Sequence, residues 1–182
     1  EKETILGDPE GTNGMIEAPT RHLTPRARRM IRSGGPIGAV ARLSEYSDHS
    51  GAVFDVGVNR GTIARHLIRI FPTCDAHLFE PLPDEARVLE GRFSAFESLR
   101  VVERARGARN GTADFYVGEA RGTSSLFTSD IPEVARNHPE TTVEKVIKVK
   151  VQTLDKYCEE AKVDHISCMK LDVQGAELMI FK

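Results

Sequence analysis

Asp55-Val56-Gly57-Val58-Asn59-Arg60-Gly61 is the stretch that decides the fold. It follows the apolar run Ala52-Val53-Phe54 and precedes Thr62 to Phe71, where Ile63, Leu67, Ile70 and Phe71 recur on one helical side. A short apolar strand that ends in a glycine turn and hands over to a helix is the opening unit of a parallel α/β sheet. Gly57 and Gly61 allow a sharp turn and close approach to a ligand. Asn59 tolerates left-handed backbone and can hydrogen-bond locally. In doubly wound folds this turn sits at the carboxyl end of the sheet, where nucleotides bind.

The pattern continues outward in both directions. Ala76-His77-Leu78-Phe79-Glu80 reads as a second strand. Pro83 to Phe96 reads as a helix with Asp84 and Glu85 in its first turn and Ala86, Leu89, Phe93 and Phe96 as its apolar stripe. Arg100 to Glu103 is a third strand. Strand–helix–strand–helix–strand order demands right-handed crossovers and a parallel sheet. Thr112 to Val117 reads as an extra strand. Lys145 to Gln152 alternates, with Ile147, Val149 and Val151 opposite Lys148, Lys150 and Gln152; this predicts a half-exposed antiparallel strand near an edge. A helix over Thr153 to Ala161, a buried strand over Ile166 to Val173 and a helix beginning at Ala176 complete the chain. Upstream, Pro36 to Tyr46 reads as a helix with Ala39, Val40 and Leu43 as its stripe. The expected organisation is a flexible lead-in over 1–20, an N-terminal helical segment over 21–50 and one α/β domain over 51–182.

The chemistry concentrates in three places. The first turn departs from the dinucleotide pattern G-x-G-x-x-G, because Asn59 stands at the second glycine and Asp55 precedes the loop. An acid there disfavours a pyrophosphate, which wants free N–H groups at a helix start. It suits a cationic cofactor carrying an ammonium and a sulfonium, as S-adenosylmethionine does. Glu80 ends the second strand 19 residues after Gly61, where a carboxylate can accept from ribose hydroxyls; the plainer role is a capping acid for the helix that follows. Asp172, in Lys170-Leu171-Asp172-Val173-Gln174-Gly175-Ala176-Glu177, lies at the end of a strand beside the first and faces the same cleft. A carboxylate there can take a proton from a substrate hydroxyl or orient an amino group. Glu177 and Lys170 are equally compatible with structural and functional roles.

Composition excludes several classes. The 182 residues suit one domain with a core, at 40% hydrophobic content. Twenty-five basic and 27 acidic residues leave a net charge of -2, which argues against nucleic acid as the main partner. No apolar run approaches the roughly 20 residues of a membrane span. Residues 1–20 carry no signal-peptide pattern, although the chain begins at Glu1 rather than Met. The three cysteines have neither metal nor redox spacing, the histidines never pair as ligands, and a reducing, cytoplasmic setting follows. No metal site is expected. The Arg26, Arg28, Arg29 and Arg32 cluster reads as a solvated helix face, with an anionic partner as the alternative. Oligomeric state is not legible.

Three blocks in this order and spacing resemble the FkbM family of methyltransferases. Residues 55–61 are similar to its D-V-G-A-N-x-G, Phe79-Glu80-Pro81 to its F-E-P, and 170–177 to its K-I-D-V-E-G-A-E. Thr123-Ser124-Ser125-Leu126 and Thr153-Leu154-Asp155 are softer echoes. The resemblance covers about residues 52–182. It implies a class I, Rossmann-like methyltransferase fold that binds S-adenosylmethionine and methylates a hydroxyl on a small metabolite or sugar. By position it implies that Gly57, Asn59 and Gly61 line the methionine side of the cofactor, that Glu80 holds its ribose and that Asp172 stands near the transfer site; Asp55 is counted with the cofactor residues for its charge, and Asp172 is the candidate catalytic base. Val58 in place of alanine and Gln174 in place of glutamate depart from the family pattern. The family fold continues beyond the helix at Ala176, so the chain is expected to be a fragment, with the C-terminal half of the sheet incomplete and a strand edge exposed. A nicotinamide-dependent oxidoreductase on a similar sheet and a non-catalytic remnant are the rival readings.

Overall fold

A computed structural model describes residues 35–118, 123–126 and 143–181. The expected lead-in and the arginine cluster lie outside the described residues, as do residues 119–122 and 127–142. The elements are α1 (Gly35–Leu43), a 3-10 turn (Ser44–Tyr46), β1 (Ala52–Val56), α2 (Ala64–Ile70), β2 (Ala76–Phe79), α3 (Pro83–Phe93), β3 (Leu99–Val102), β4 (Ala105–Arg106), β5 (Gly111–Gly118), β6 (Val143–Gln152), α4 (Leu154–Ala161), β7 (Ile166–Leu171) and α5 (Glu177–Ile180).

The main sheet has the order β3-β2-β1-β7, with every pairing parallel. This is the Rossmann-like, doubly wound arrangement expected from the sequence, with the reversal of strand order at β1 and β7. Every residue of β1 and β2 is buried, because helices cover both faces. Val53, Ala76, Leu67, Ile70 and Phe71 pack on one side, joined by Leu78, Leu89 and Phe93 beneath α3. Phe54, Val56, Phe79 and Tyr157 pack on the other. The strict alternation of Val53 and Phe54 between the faces follows from the two-residue period of a strand.

Several expectations shift in detail. α3 ends at Phe93 rather than Phe96: the Ser94 hydroxyl donates to the Gly91 carbonyl (3.1 Å) as the chain turns toward β3, and Phe96 is left 45% exposed. In α1 the core-facing residues are Val40 and Ala41, followed by Ser44, whose hydroxyl donates to the Ala41 carbonyl. Leu43 instead faces outward, because the helix ends there and tightens into the 3-10 turn. β7 is half-buried along its length rather than buried, since β1 is its only partner strand among the described residues.

β6 is not an edge strand. It is the middle of a second sheet ordered β4-β6-β5, antiparallel to β5 and parallel to the two-residue β4. Gln152 accordingly leaves the solvent face assigned by alternation and is 4% exposed. The cause is Arg106, its register partner, which donates to Gln152 Oε1 through both terminal nitrogens (3.2 and 3.3 Å). The inner face of this sheet buries Phe115, Val117 and Val149 against Leu82 and Leu126, standing the small sheet beside the carboxyl end of the large one.

Candidate functional site

A cleft of about 350 Å³ opens at the carboxyl end of the parallel strands, within the size range of small-molecule sites. Gly57 and Asn59 border it from the β1–α2 turn, Glu80 from the end of β2, and Asp172 from the end of β7. Arg106, Phe115 and Ile147 form the opposite wall. Three separate sequence blocks therefore meet in one place, because parallel strands bring their carboxyl ends to the same side of the sheet.

The turn itself is strained in the manner its glycines permit. Gly57, Asn59 and Gly61 have φ of +78°, +52° and +73°. The tight approach at Gly57, however, is made by protein: an added Cβ would overlap the carbonyl oxygen of Asp172. Gly61 faces away from the cleft, and a Cβ there would stand 2.8 Å from the Phe93 ring and 3.0 Å from Leu89. Its smallness lets the turn lie against α3.

Four of the turn's N–H groups are spent inside the protein. Those of Gly57 and Val58 donate to the Phe79 carbonyl (3.1 and 3.4 Å), that of Gly61 to the Val58 carbonyl (3.0 Å), and that of Asn59 to Glu80 Oε2 (3.0 Å). A pyrophosphate cradle needs such donors free. The site offers a carboxylate instead. Glu80 is 5% exposed, and its second oxygen accepts from the Leu82 N–H (3.1 Å). It thus braces the entry to α3 and borders the cleft. Burial pushes its carboxyl up to about 7, against the lowering effect of the two backbone donors. Two of roughly four lone-pair sites on a carboxylate are used in this way, and the remainder are available to a ligand.

Asp55 lies beneath the cleft, fully buried and ion-paired with Lys170 Nζ at 3.0 Å. Burial raises its carboxyl even against that partner. Asp172, by contrast, is half exposed, and its Oδ1 accepts from the Gln174 side chain (2.8 Å). Glu177 closes the turn after β7: its two oxygens accept from the N–H groups of Val173 and Gly175 (3.0 Å each). Burial acts to raise the Glu177 carboxyl, but the backbone donors outweigh it and hold it low. Ser125, from the softer 123–126 block, pins the same turn by reaching the Val173 and Gln174 carbonyls (2.9 and 3.1 Å). Ser125→Ala should therefore cost about 1 kcal/mol in chemical denaturation.

Sequence reading missed the far wall. Arg106 is 1% exposed, with its guanidinium over the Phe79 and Tyr157 rings (4.5 and 4.9 Å to the centroids). Burial lowers its pKa to about 10. Beyond it, Gln152 donates to Glu160 (2.7 Å), and the Tyr157 hydroxyl meets His77 Nδ1 (2.6 Å). Burial, followed by the charge of Arg100, holds the His77 imidazole near 4 and therefore neutral. No motif marks these residues. The one available signal was the arginine placed directly after a strand in Arg104-Ala105-Arg106.

A parallel sheet of this order, with a carboxylate-lined cleft at its reversal point, fits the Rossmann-like methyltransferase class. The chain belongs to the FkbM methyltransferase family: the model described as "Methyltransferase FkbM domain" matches residues 55–182. It is also similar to the 2-O-methyltransferase NoeI of Sinorhizobium fredii (strain NBRC 101917 / NGR234), at 29% identity over 130 residues, which are 69% of this chain and 54% of that protein. The chain thus spans about half the length of the curated relative it matches. Among the described residues no helix is long and apolar enough to cross a membrane.

Proposed function

We propose that the protein transfers a methyl group from S-adenosylmethionine to a hydroxyl oxygen of a small metabolite or sugar. The observation that carries this reading is the turn after β1, four of whose N–H groups are consumed internally, one of them by the Glu80 carboxylate that borders the cleft. That arrangement suits a ligand with ribose hydroxyls and a cationic centre rather than a pyrophosphate. The likeness to a 2-O-methyltransferase agrees with oxygen as the acceptor atom.

In this reading Glu80 accepts from the ribose hydroxyls, and the Gly57–Asn59 backbone borders the amino-acid end of the donor. Bound S-adenosylmethionine supplies an activated methyl on its sulfonium. The protein's task is then alignment and exclusion of water. The half-exposed Asp172 is the acceptor's proton sink: its carboxylate would take the hydroxyl proton as the acceptor oxygen displaces the neutral thioether, S-adenosylhomocysteine, from the methyl carbon. The Gln174 amide holds the other oxygen of Asp172 in place. The Asp55–Lys170 pair lies behind the turn and supports it.

Isothermal titration tests the assignment. S-adenosylhomocysteine should bind and NAD should not. NAD binding without S-adenosylhomocysteine would transfer the protein to the oxidoreductases, and a folded chain that bound neither would mark a non-catalytic remnant.

A further inference from the structure

Lys170 stands among four oxygens of the described structure. Its ammonium lies 2.6 Å from the Gly57 carbonyl, 3.5 Å from that of Val56, 3.0 Å from Asp55 Oδ1 and 3.8 Å from Asp172 Oδ2. The side chain is 16% exposed. One cation therefore touches the end of β1, the glycine of the donor turn and the acid after β7.

We propose that Lys170 is the positioning residue of the transfer site, holding the Gly57 turn and the Asp172 carboxylate in fixed relation. The proposal rests on the donor-binding reading given above. Its physical basis is the geometry of the two strand ends. β1 and β7 are joined by ladder bonds up to Val56 and Leu171, and by the Asp172 N–H to the Val56 carbonyl (3.0 Å). Past that point the ladder ends, leaving a gap in the backbone bonding although the Asp172 carbonyl still lies against Gly57. The ammonium bridges the gap with three donors of its own. An ammonium also suits carbonyl oxygens approaching from several directions, whereas a planar guanidinium has a fixed fork. Asp55 supplies the counter-charge that permits a cation at this depth.

A buried pair is structural by default, so the test separates the two roles. Replacing both members, as Asp55→Asn with Lys170→Met, removes the charges together and keeps the volume, an exchange that buried ion pairs often tolerate. The double variant should unfold near the wild-type temperature. It should nevertheless bind S-adenosylhomocysteine roughly tenfold or more weakly, since small misplacements at a site are costly. Hydrogen exchange at residues 57–61 and 172–176 should quicken, while exchange in β2 should not change.

A double variant that folds and binds like the wild type overturns the proposal. If the double variant fails to fold, Lys170→Arg, which keeps the charge beside Asp55 but replaces the ammonium with a planar fork, is measured instead. It is compared with wild type, with the same two results deciding. Should the wild-type protein itself not bind S-adenosylhomocysteine, the donor reading fails. The quickened exchange would still report whether Lys170 holds the turn.

Discussion

Gly57→Ala should be the most damaging single change, costing about 2–5 kcal/mol in urea denaturation. Two terms contribute. A Cβ at positive φ costs roughly 1–2 kcal/mol, and Gly57 has φ of +78°. Overpacking adds about 1–3 kcal/mol, because the new methyl would meet backbone, the Asp172 carbonyl, which cannot rotate away as a side chain can. Against a typical net stability of roughly 5–15 kcal/mol this is a large fraction. The relief available is to push β7 away from β1, which would also displace Asp172 and weaken the donor site. Gly91→Ala makes a matched control. Gly91 lies inside α3 with open space about its Cα, so the same methyl should stabilise by about 0.5–1 kcal/mol.

The second large effect concerns pH and Glu80. Its carboxyl stands at about 7 in the fold against an ordinary 4.5, chiefly because it is buried. Ionised, it accepts from ribose hydroxyls; protonated, it loses an acceptor. Affinity for S-adenosylhomocysteine should therefore rise with pH through about 7 and level off above it. Stability runs the other way. The folded carboxyl holds a proton that the unfolded chain has released, so this contribution is complete below the ordinary value and is lost as pH rises through about 7. Titration calorimetry and thermal unfolding across the range should show the two opposite trends. Glu80→Gln should flatten both and weaken binding by about 1.5–3 kcal/mol, roughly tenfold to a hundred-and-fiftyfold, from losing hydrogen bonds to a charged acceptor. Unchanged affinity in this variant would remove Glu80 from the donor site.

Residues whose roles depend on neighbours in sequence were legible without the fold. The apolar strand at Ala52-Val53-Phe54, the helical stripe of Leu67 and Ile70, and the Pro83-Asp84-Glu85 helix start all follow from local pattern and capping. Glu80 was legible because strand ends and turn lengths in a βαβ unit have narrow limits. The same periodicity misplaced Leu43, Phe96 and Gln152, each at an element end or opposite a residue distant in the chain. There the contact partner, not the period, decides which way a side chain goes.

What the amino-acid order determined by itself was the parallel α/β unit, its glycine turn and the carboxylates at its strand ends, because these are set by steric and hydrophobic patterns within a few tens of residues. Only the tertiary structure decided that Gly57 must be glycine for the sake of Asp172, that Lys170 joins two strand ends, and that Arg106 lies buried between Phe79 and Tyr157. Those contacts link segments between about 25 and 115 residues apart. They exist because strand pairing closes the intervening loops, and no local pattern encodes which side chains the closure brings face to face.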